Sequence, residues 1–511
     1  MQQNVFINPL VEQIRRVKRA DPCILVIFGA TGDLTSRKLM PSLFSLFQNG
    51  QLPAHFACVG FARRDKSHDD FRSEMLEAVK EHGDSEHFEE SQWERFKEQI
   101  YYHRSEFHED EGYHSLNSFL QELDNNLSTR GNRVFYLASQ PKYFTVIAEK
   151  LGNHGLIYDL NKVKDKWSRL IIEKPFGHDL NSADKLQKDL TTHLNEKQIY
   201  RIDHYLGKET VQNILFFRFS NLIFESVWNH HYIDHVQITV SENIGIGTRG
   251  AFFEEAGILR DIIQNHMMQI LSLIAMEPPK SLGADDIRDE KVKVLESIRP
   301  LKIEEMVRGQ YGPGWVGGKK VKGYREEDNV DKSSSRETYA ALQLAIDNWR
   351  WTGVPFFLRA GKRLPKRTTE VAISFKKAPN YLFRERAGKV DPNSIILRIQ
   401  PDEGASLKMN CKVPGMTSPV EPVKMDFRYG QYFGTSQPQA YERLIIDCMA
   451  ADNTLFARID EVMASWSLFT PLLTLWEEKK AENFPNYHAG SFGPHEADKL
   501  IQQTGRTWRL L

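Results

Sequence analysis

The first part of the chain alternates short apolar runs with segments of mixed polarity, which is typical of a parallel α/β fold. The run Cys23–Phe28 is apolar throughout and ends at Gly29, so it predicts a strand buried on both faces. Residues 39–47 carry apolar side chains close to helical spacing, and residues 56–61 form a second strand-like run. Together these segments predict a β-α-β unit, the start of a doubly wound sheet.

Two later runs, Arg133–Leu137 and residues 169–172, have the same strand-like character. The segments between them mix polar and apolar residues, as helices on the faces of a sheet do. We therefore predict a Rossmann-type, doubly wound α/β domain over residues 1–200.

Beyond residue 200 the strand-like runs follow one another without regular helices between them. These runs are residues 215–219, 235–240, 371–375, 395–399 and 425–429. The alternation of apolar and polar side chains over residues 236–240 is typical of an antiparallel sheet with one covered face. Two helical stretches, residues 254–275 and 440–447, provide the cover. The pattern predicts an α+β domain with a large, mainly antiparallel sheet over residues 201–511.

The composition is that of a folded globular protein and excludes several functional classes. Of 511 residues, 41% are hydrophobic and 26% charged, which leaves ample material for a buried core. The net charge of −1 provides no overall field for binding nucleic acid or an anionic membrane. Cys23, Cys58, Cys411 and Cys448 lie far apart, with no CxxC pair. We therefore expect neither a metal site nor a disulfide framework.

The N-terminal segment lacks the apolar core of a secretory signal. Its short basic run, which contains Arg15, Arg16, Lys18 and Arg19, is expected to form a solvated helix. The most apolar late stretch, residues 463–476, is too short and too polar to span a bilayer. We expect a cytoplasmic protein with no nucleic-acid or membrane partner.

The turn after the first strand is a candidate phosphate-binding site. It comprises six residues: Gly29, Ala30, Thr31, Gly32, Asp33 and Leu34. A strand, a glycine-containing turn and a helix N-terminus together present free backbone N–H groups and a helix dipole to an anion. The spacing departs from the usual GxGxxG, so a tight βα turn without a ligand stays an alternative.

The end of the second strand indicates which dinucleotide binds. Enzymes that prefer NAD usually place an acid there to bind the ribose 2′-hydroxyl. In this chain Arg63 and Arg64 follow the strand, and a guanidinium group matches the geometry of a 2′-phosphate. The sequence therefore predicts NADP, with two solvated surface arginines as the alternative.

Three further motifs are more specific. They are EKPFG at residues 173–177, RIDHYLGKE at residues 201–209, and FEEAGILRDIIQNH at residues 253–266. Together with GATGDL at residues 29–34, they resemble the glucose-6-phosphate dehydrogenase family. The resemblance covers nearly the whole chain, from Cys23 to about Trp476.

The resemblance implies that glucose 6-phosphate is oxidised at carbon 1 with hydride transfer to NADP, the first oxidative step of the pentose phosphate pathway. It implies that His266 is the general base and that Asp203 orients its imidazole. It implies cofactor contacts from the turn, Lys38, Arg63 and Lys174. For the substrate it implies contacts from Lys174, His204, Tyr205, Lys208, Glu242, Asp261, Lys362 and Arg367. A homodimer or homotetramer is also implied.

The helix that carries His266 supports this interpretation. At about 100° per residue, Asp261, Asn265, His266 and Gln269 fall within an arc of roughly 140° on an otherwise apolar helix. Buried polar groups without partners are costly, so such a stripe favours a cleft.

Other interpretations stay open at this point. One is a relative that accepts NAD or a broader range of sugar phosphates. Another is a non-catalytic NADPH sensor or scaffold, although both Asp203 and His266 are present. Some members of the family carry a second, structural NADP near Arg359. We do not expect it here, because Thr368 occupies a position that is basic in those members.

Overall fold

A computed structural model describes residues 20–379, 390–415, 420–434 and 439–511. The predicted N-terminal basic helix lies outside these residues. By packing, the chain divides into two compact units. The first unit comprises Met1–Phe176, Lys185–Gly207 and Pro438–Ala457, and the second comprises Gly177–Asp184, Lys208–Gln437 and Arg458–Leu511.

The strands are numbered in chain order. They are β1 (Cys23–Phe28), β2 (Phe56–Ala62), β3 (Ile100–Arg104), β4 (Arg133–Leu137), β5 (Ser168–Glu173), β6 (Ile199–Ile202), β7 (Ile233–Ser241), β8 (Met306–Gly309), β9 (Tyr311–Gly312), β10 (Gly314–Val316), β11 (Lys319–Val321), β12 (Tyr339–Ala345), β13 (Pro355–Gly361), β14 (Thr368–Phe375), β15 (Ser394–Gln400), β16 (Gly404–Lys412), β17 (Val420–Arg428), β18 (Phe456–Ala457) and β19 (Tyr487–His488).

The α-helices of the described residues are Met40–Gln48, His68–His82, Glu90–Phe96, Asp110–Leu127, Phe144–Asn153, Leu180–Thr191, Glu209–Phe219, Leu222–Glu225, Gly250–Ile258, Met268–Ala275, Ala284–Glu296, Tyr429–Phe433, Ala440–Met449, Ile459–Glu478 and His495–Gln502. Two further segments, Thr35–Leu39 and Leu259–Met267, are π-helical. Within the described part of the chain, no helix is both long and apolar enough to cross a bilayer.

The first unit contains the predicted doubly wound sheet. Its strand order is β18-β6-β5-β4-β1-β2-β3, and every pair is parallel except β18 with β6. The strands β1, β2 and β4 are buried along their whole length, as expected for a sheet with helices on both faces. The parallel arrangement brings the carboxyl ends of β1, β2, β5 and β6 to one edge, where doubly wound folds bind ligands.

The second unit contains the predicted large sheet. Its order is β17-β16-β15-β14-β7-β13-β12-β8. All neighbouring pairs are antiparallel except β7 with β13, which is parallel with Ser241 opposite Gly361. The two strands therefore end side by side, and this single parallel pair shapes the site described below.

Two of the predicted elements are corrected by the structure. Residues 215–219 form the last turns of the helix Glu209–Phe219 and not a strand. Short apolar runs do not distinguish a strand from a buried helix, and here Arg218 turns inward to pair with Glu225. The predicted helix over residues 254–275 is broken into an α-helix, a π-helix and a second α-helix, with a non-helical residue at Gly257.

The division of the chain at residue 200 stays a prediction. The helix over residues 440–447 was predicted to cover the sheet of the second domain, and this placement is wrong: by packing, the helix Ala440–Met449 belongs to the first unit. The first unit also contains the strand β18, which pairs with β6. Arg169 on β5 donates two hydrogen bonds of 2.7 Å to the last carbonyls of that helix, those of Cys448 and Met449. A late segment of the chain thus completes the fold of the first unit.

Candidate active site

The turn after β1 has the geometry that its glycines predict. Gly29 adopts a φ of 90°, and a Cβ at this position would lie 2.6 Å from the carbonyl oxygen of Ala138. The Gly29 N–H donates to the carbonyl of Phe61 at 2.9 Å, and the Gly32 N–H donates to the carbonyl of Gly29 at 2.9 Å. Glycine is required at residue 29 because only a residue without a side chain fits this approach.

The same turn keeps several backbone donors available. Among the described residues, the backbone N–H groups of Thr31, Asp33 and Leu34 donate no hydrogen bond to another backbone group. A helical segment begins at Asp33, so these donors lie at a helix N-terminus. The carboxylate of Asp33 pairs with Arg37 at 2.6 Å, which offsets its charge beside the turn. The turn therefore fits the diphosphate of a dinucleotide.

Arg63 lies directly after β2, at the same sheet edge as the turn. The pairing of Phe28 with Phe61 sets this position. The Arg63 side chain is exposed, and among the described residues no carboxylate lies within ion-pair distance of it. The next acid, Asp65, pairs with Arg104 at 3.2 Å. Lys38 is likewise exposed, on the helical segment after the turn.

The predicted residues Lys174, Asp203, His204 and Tyr205 also lie at this edge of the first unit. Lys174 follows β5, and Asp203 follows the neighbouring parallel strand β6. Asp203 is buried, with a carboxylate oxygen that accepts the N–H of Tyr205 at 3.0 Å. The imidazole of His204 packs edge-on against the Tyr205 ring, with centroids 5.2 Å apart.

In the second unit, Glu242 and Lys362 are neighbours because β7 and β13 are parallel. Each residue directly follows one of these strands. The Glu242 backbone donates to the carbonyl of Gly361 and accepts from the N–H of Leu364, both at 2.9 Å. The Lys362 Nζ then lies 2.5 Å from Glu242 Oε2. Lys362 is nearly fully buried, at 5% exposure.

Asp261 completes this charged cluster from the π-helix Leu259–Met267. Its Oδ2 lies 4.0 Å from Lys362 Nζ, and its Oδ1 lies 3.9 Å from Arg249 Nη2. The ring of Phe253 lies 5.2 Å from the Lys362 ammonium. Asp261 is 5% exposed, so the cluster holds a buried carboxylate beside a buried cation.

His266 lies on the same π-helix as Asp261, five residues along, and is 1% exposed. A π-helix bonds residue i to residue i+5, so it places residues five apart near each other. The predicted arc assumed α-helical winding and is wrong in this detail, although both side chains do belong to one buried segment. Single π-turns occur frequently at functional sites.

The π-helix is fixed in place by its polar neighbours. Asn265 accepts the His266 N–H at 2.6 Å and donates to the Arg260 carbonyl at 2.9 Å. Ser465 donates to the Gln264 carbonyl at 2.6 Å. Gln269 in the following helix donates to Glu461 at 3.2 Å. The polar side chains of this segment therefore form hydrogen bonds to the backbone and to the helix Ile459–Glu478.

At the start of the π-helix, Gly257 and Glu337 form a tight contact. Gly257 has φ 63° and ψ 177°, a conformation that is essentially restricted to glycine. A Cβ there would lie 2.0 Å from Glu337 Oε1. The Glu337 carbonyl accepts the Ile258 N–H at 3.0 Å, and its carboxyl oxygen accepts the Leu259 N–H at 3.4 Å. The buried Glu337 thereby holds the first turn of the helix that carries Asp261 and His266.

The Gly257→Ala variant is expected to lose about 1–3 kcal/mol of stability from backbone strain alone. The clash with Glu337 adds to this, so turnover should fall as the π-helix shifts. Thermal unfolding and kcat of the purified variant measure both effects. Gly353→Ala is the matched control, because Gly353 also has a positive φ, of 77°, but a Cβ there meets no atom within 4 Å. Equal losses of stability and of kcat in the two variants would contradict the role of the contact between Gly257 and Glu337.

The last two predicted substrate residues, Lys208 and Arg367, lie on different elements of the second unit. Lys208 precedes the helix Glu209–Phe219, with its Nζ 3.0 Å from Gln400 Oε1. Arg367 is exposed and directly precedes β14, whose Thr368 pairs with Ser241. Arg367 therefore lies near the end of β7, where Glu242 follows.

Comparison with known proteins assigns the family. The profile of the glucose-6-phosphate dehydrogenase NAD binding domain matches residues 26–213, and that of the C-terminal domain matches residues 215–509. A glucose-6-phosphate 1-dehydrogenase of Chlamydia pneumoniae is 57% identical over 494 residues, which cover 96% of each chain. The chain belongs to the glucose-6-phosphate dehydrogenase family.

More distant members agree with this assignment. A glucose-6-phosphate 1-dehydrogenase 2 of Mycobacterium tuberculosis is 44% identical over 509 residues, or 98% of each chain. A solved glucose-6-phosphate dehydrogenase in complex with its substrate glucose-6-phosphate aligns with a TM-score of 0.88 at 35% identity. That alignment covers 96% of this chain and 99% of the other. The chain is accordingly an oxidoreductase with a nucleotide-binding domain.

The structure adds residues to which the sequence assigned no role. Arg249 approaches Asp261, and Glu337 holds the π-helix. Glu173, the first residue of the EKPFG motif in this family member, is hydrogen-bonded to Tyr136. None of these contacts has a local sequence signal, because the partners are far apart in the chain.

Proposed function

We propose that this chain oxidises D-glucose 6-phosphate to 6-phospho-D-glucono-1,5-lactone, with NADP⁺ as the hydride acceptor. The observation that carries the proposal is the contact of the partly exposed Glu242 with the buried Lys362, which also lies near the buried Asp261, in a member of this family. His266 lies on the same π-helix as Asp261. Carboxylates accept hydrogen bonds from sugar hydroxyls, and the ammonium group can donate one.

The proposed chemistry breaks two bonds to hydrogen: the C–H bond of carbon 1 and the O–H bond of the hydroxyl group on carbon 1. His266 takes the proton of the hydroxyl at carbon 1 as general base, and the hydrogen on carbon 1 leaves as hydride while the C=O bond forms. When bound, the oxidised nicotinamide supplies the electrophilic ring that accepts this hydride. Asp203 holds one tautomer of the imidazole and stabilises the imidazolium that forms.

The other proposed contacts divide by the part of the ligand that they bind. His204, Tyr205 and Lys208 bind the 6-phosphate, because hydrogen bonds to an ionised phosphate are roughly twice as strong as bonds between neutral groups. Glu242, Asp261, Lys362 and Arg367 bind the sugar side of the substrate. Lys174 contacts both substrate and nicotinamide, and the turn with Lys38 and Arg63 holds the rest of the cofactor.

NADP is proposed in preference to NAD because Arg63 is an exposed guanidinium at the end of β2 with no ion-pair partner among the described residues. The Arg63→Ala variant is expected to lose about 1.5–3 kcal/mol of NADP binding, seen as a raised KM for NADP. Its KM for NAD should change little. Arg95→Ala, another exposed arginine of the first unit, is the control. An equal loss with both cofactors would refute the role of Arg63.

The direct test of the proposed function is reduction of cofactor, followed by absorbance at 340 nm. Each of glucose 6-phosphate and galactose 6-phosphate is combined with each of NADP and NAD. We expect the highest kcat/KM for glucose 6-phosphate with NADP. Comparable rates with galactose 6-phosphate or NAD would instead indicate the broader relative. A cytoplasmic location and a homodimeric or homotetrameric state stay predictions.

A further inference from the structure

Glu173 ends β5 at the ligand-binding edge of the first unit. Tyr136 on β4 pairs with Ile171, two residues before Glu173, so both side chains point to one face of the sheet. The Tyr136 hydroxyl donates to Glu173 Oε1 at 2.5 Å. The hydroxyl of Tyr441 is a second neighbour of this carboxyl group, and it lowers the pKa of Glu173. Tyr441 lies on the helix Ala440–Met449, which returns late in the chain to pack in this unit.

The two phenols are fixed donors. Burial raises the pKa of Tyr136 well above its ordinary value, and burial together with the neighbouring Glu173 carboxyl raises the pKa of Tyr441. Both groups therefore stay protonated over the working range of an enzyme. Of these three side chains, the carboxyl group of Glu173 is therefore the one whose charge changes near neutral pH.

Two further charged groups act on the same carboxyl through their charge. Lys174 is the next residue, and Asp203 follows β6, on which Ile202 pairs with Glu173. Burial raises the pKa of Glu173 to about 7, Tyr136, Lys174 and Tyr441 oppose the rise, and Asp203 adds to it. The carboxyl group thus gains or loses its proton in the physiological range, beside two residues that the proposed reaction uses.

We propose that Glu173, held between Tyr136 and Tyr441, is a positioning residue of the reaction. The charge of its carboxyl group acts on Lys174 and Asp203. We call Tyr136 and Tyr441 the clamp on Glu173. This inference rests on the proposed function. An ionised Glu173 adds negative charge near Lys174 and Asp203. Added negative charge near Asp203 stabilises the imidazolium that forms when His266, oriented by Asp203, accepts the proton. Turnover should therefore rise as Glu173 loses its proton.

The test is the pH dependence of kcat for wild type, Glu173→Gln and Tyr441→Phe, from about pH 5 to about pH 9. Glu173→Gln is expected to lower kcat about tenfold and to move the acid limb to lower pH, because the ionising carboxyl is gone. Tyr441→Phe should move the limb to higher pH, because the lost hydrogen bond no longer favours the carboxylate. The KM for NADP should change less than kcat in both variants.

The matched control is Glu122→Gln, an exposed carboxylate of the same unit, which should leave the profile unchanged. Circular dichroism spectra of all variants report on folding. A uniform loss of activity with superimposable acid limbs would mean that Glu173 is only structural, and this inference would then be overturned. An absence of glucose 6-phosphate oxidation by the wild type would instead overturn the proposed function itself.

Discussion

The His266→Asn variant is expected to have a kcat about 10²–10⁴-fold below that of the wild type, while its affinity for glucose 6-phosphate stays close to the wild-type value. The reason is that asparagine keeps hydrogen-bonding capacity but cannot accept a proton near neutral pH. The buried position of His266, at 1% exposure, leaves little room for water to act as base in its place. Its backbone N–H is held by Asn265, so the π-helix should keep its shape in the variant.

The measurement is kcat from absorbance at 340 nm, together with the dissociation constant of glucose 6-phosphate from calorimetry on the cofactor-free protein. His114→Asn is the control, because this histidine is exposed on the helix Asp110–Leu127. Near-normal turnover of His266→Asn would remove His266 from the mechanism. A lost affinity with unchanged kcat would assign it to substrate binding alone.

The Lys362→Met variant is expected to lose about 3 kcal/mol of stability and most of its affinity for substrate. Methionine removes the cation that lies 2.5 Å from Glu242 and 4.0 Å from Asp261. The buried carboxylate of Asp261 would lose one of its two cationic neighbours, while Arg249 stays 3.9 Å away. Removal of one partner from a buried group of opposite charges is strongly destabilising.

Thermal unfolding measures the stability, and the KM for glucose 6-phosphate measures the substrate contact. Lys362→Arg keeps the charge and should retain most of the stability. The double variant Glu242→Gln/Lys362→Met removes one of the two carboxylates and should regain part of the lost stability without regaining activity. A stable Lys362→Met with a normal KM would show that the ammonium serves neither purpose.

Much of the first unit could be predicted because its strands are short, apolar and buried on both faces. The bounds of β1 and β4 match the predicted runs, and β2 extends one residue further. The misassigned residues 215–219 show the limit of such patterns. Their aromatic run suits a strand or a buried helix equally, and only the packing of the buried Arg218 against Glu225 and the Leu273 carbonyl decides for the helix.

The site could be predicted as a set of residues but not as a geometry. Family motifs identified Glu242 and Lys362, yet their contact depends on β7 and β13 being the one parallel pair in an otherwise antiparallel sheet. The π-helical winding between Asp261 and His266 has no local sequence signal. The clamp on Glu173 could not be foreseen either, because Tyr441 comes from a helix that returns to the first unit late in the chain.

The most direct test of the proposed function follows the hydrogen atom that leaves carbon 1. Glucose 6-phosphate that carries deuterium at carbon 1 is incubated with the enzyme and NADP⁺, and the reduced cofactor is analysed by mass spectrometry. The proposed function predicts that the reduced cofactor contains the deuterium. Reduced cofactor without deuterium, or no reduced cofactor at all, would contradict it.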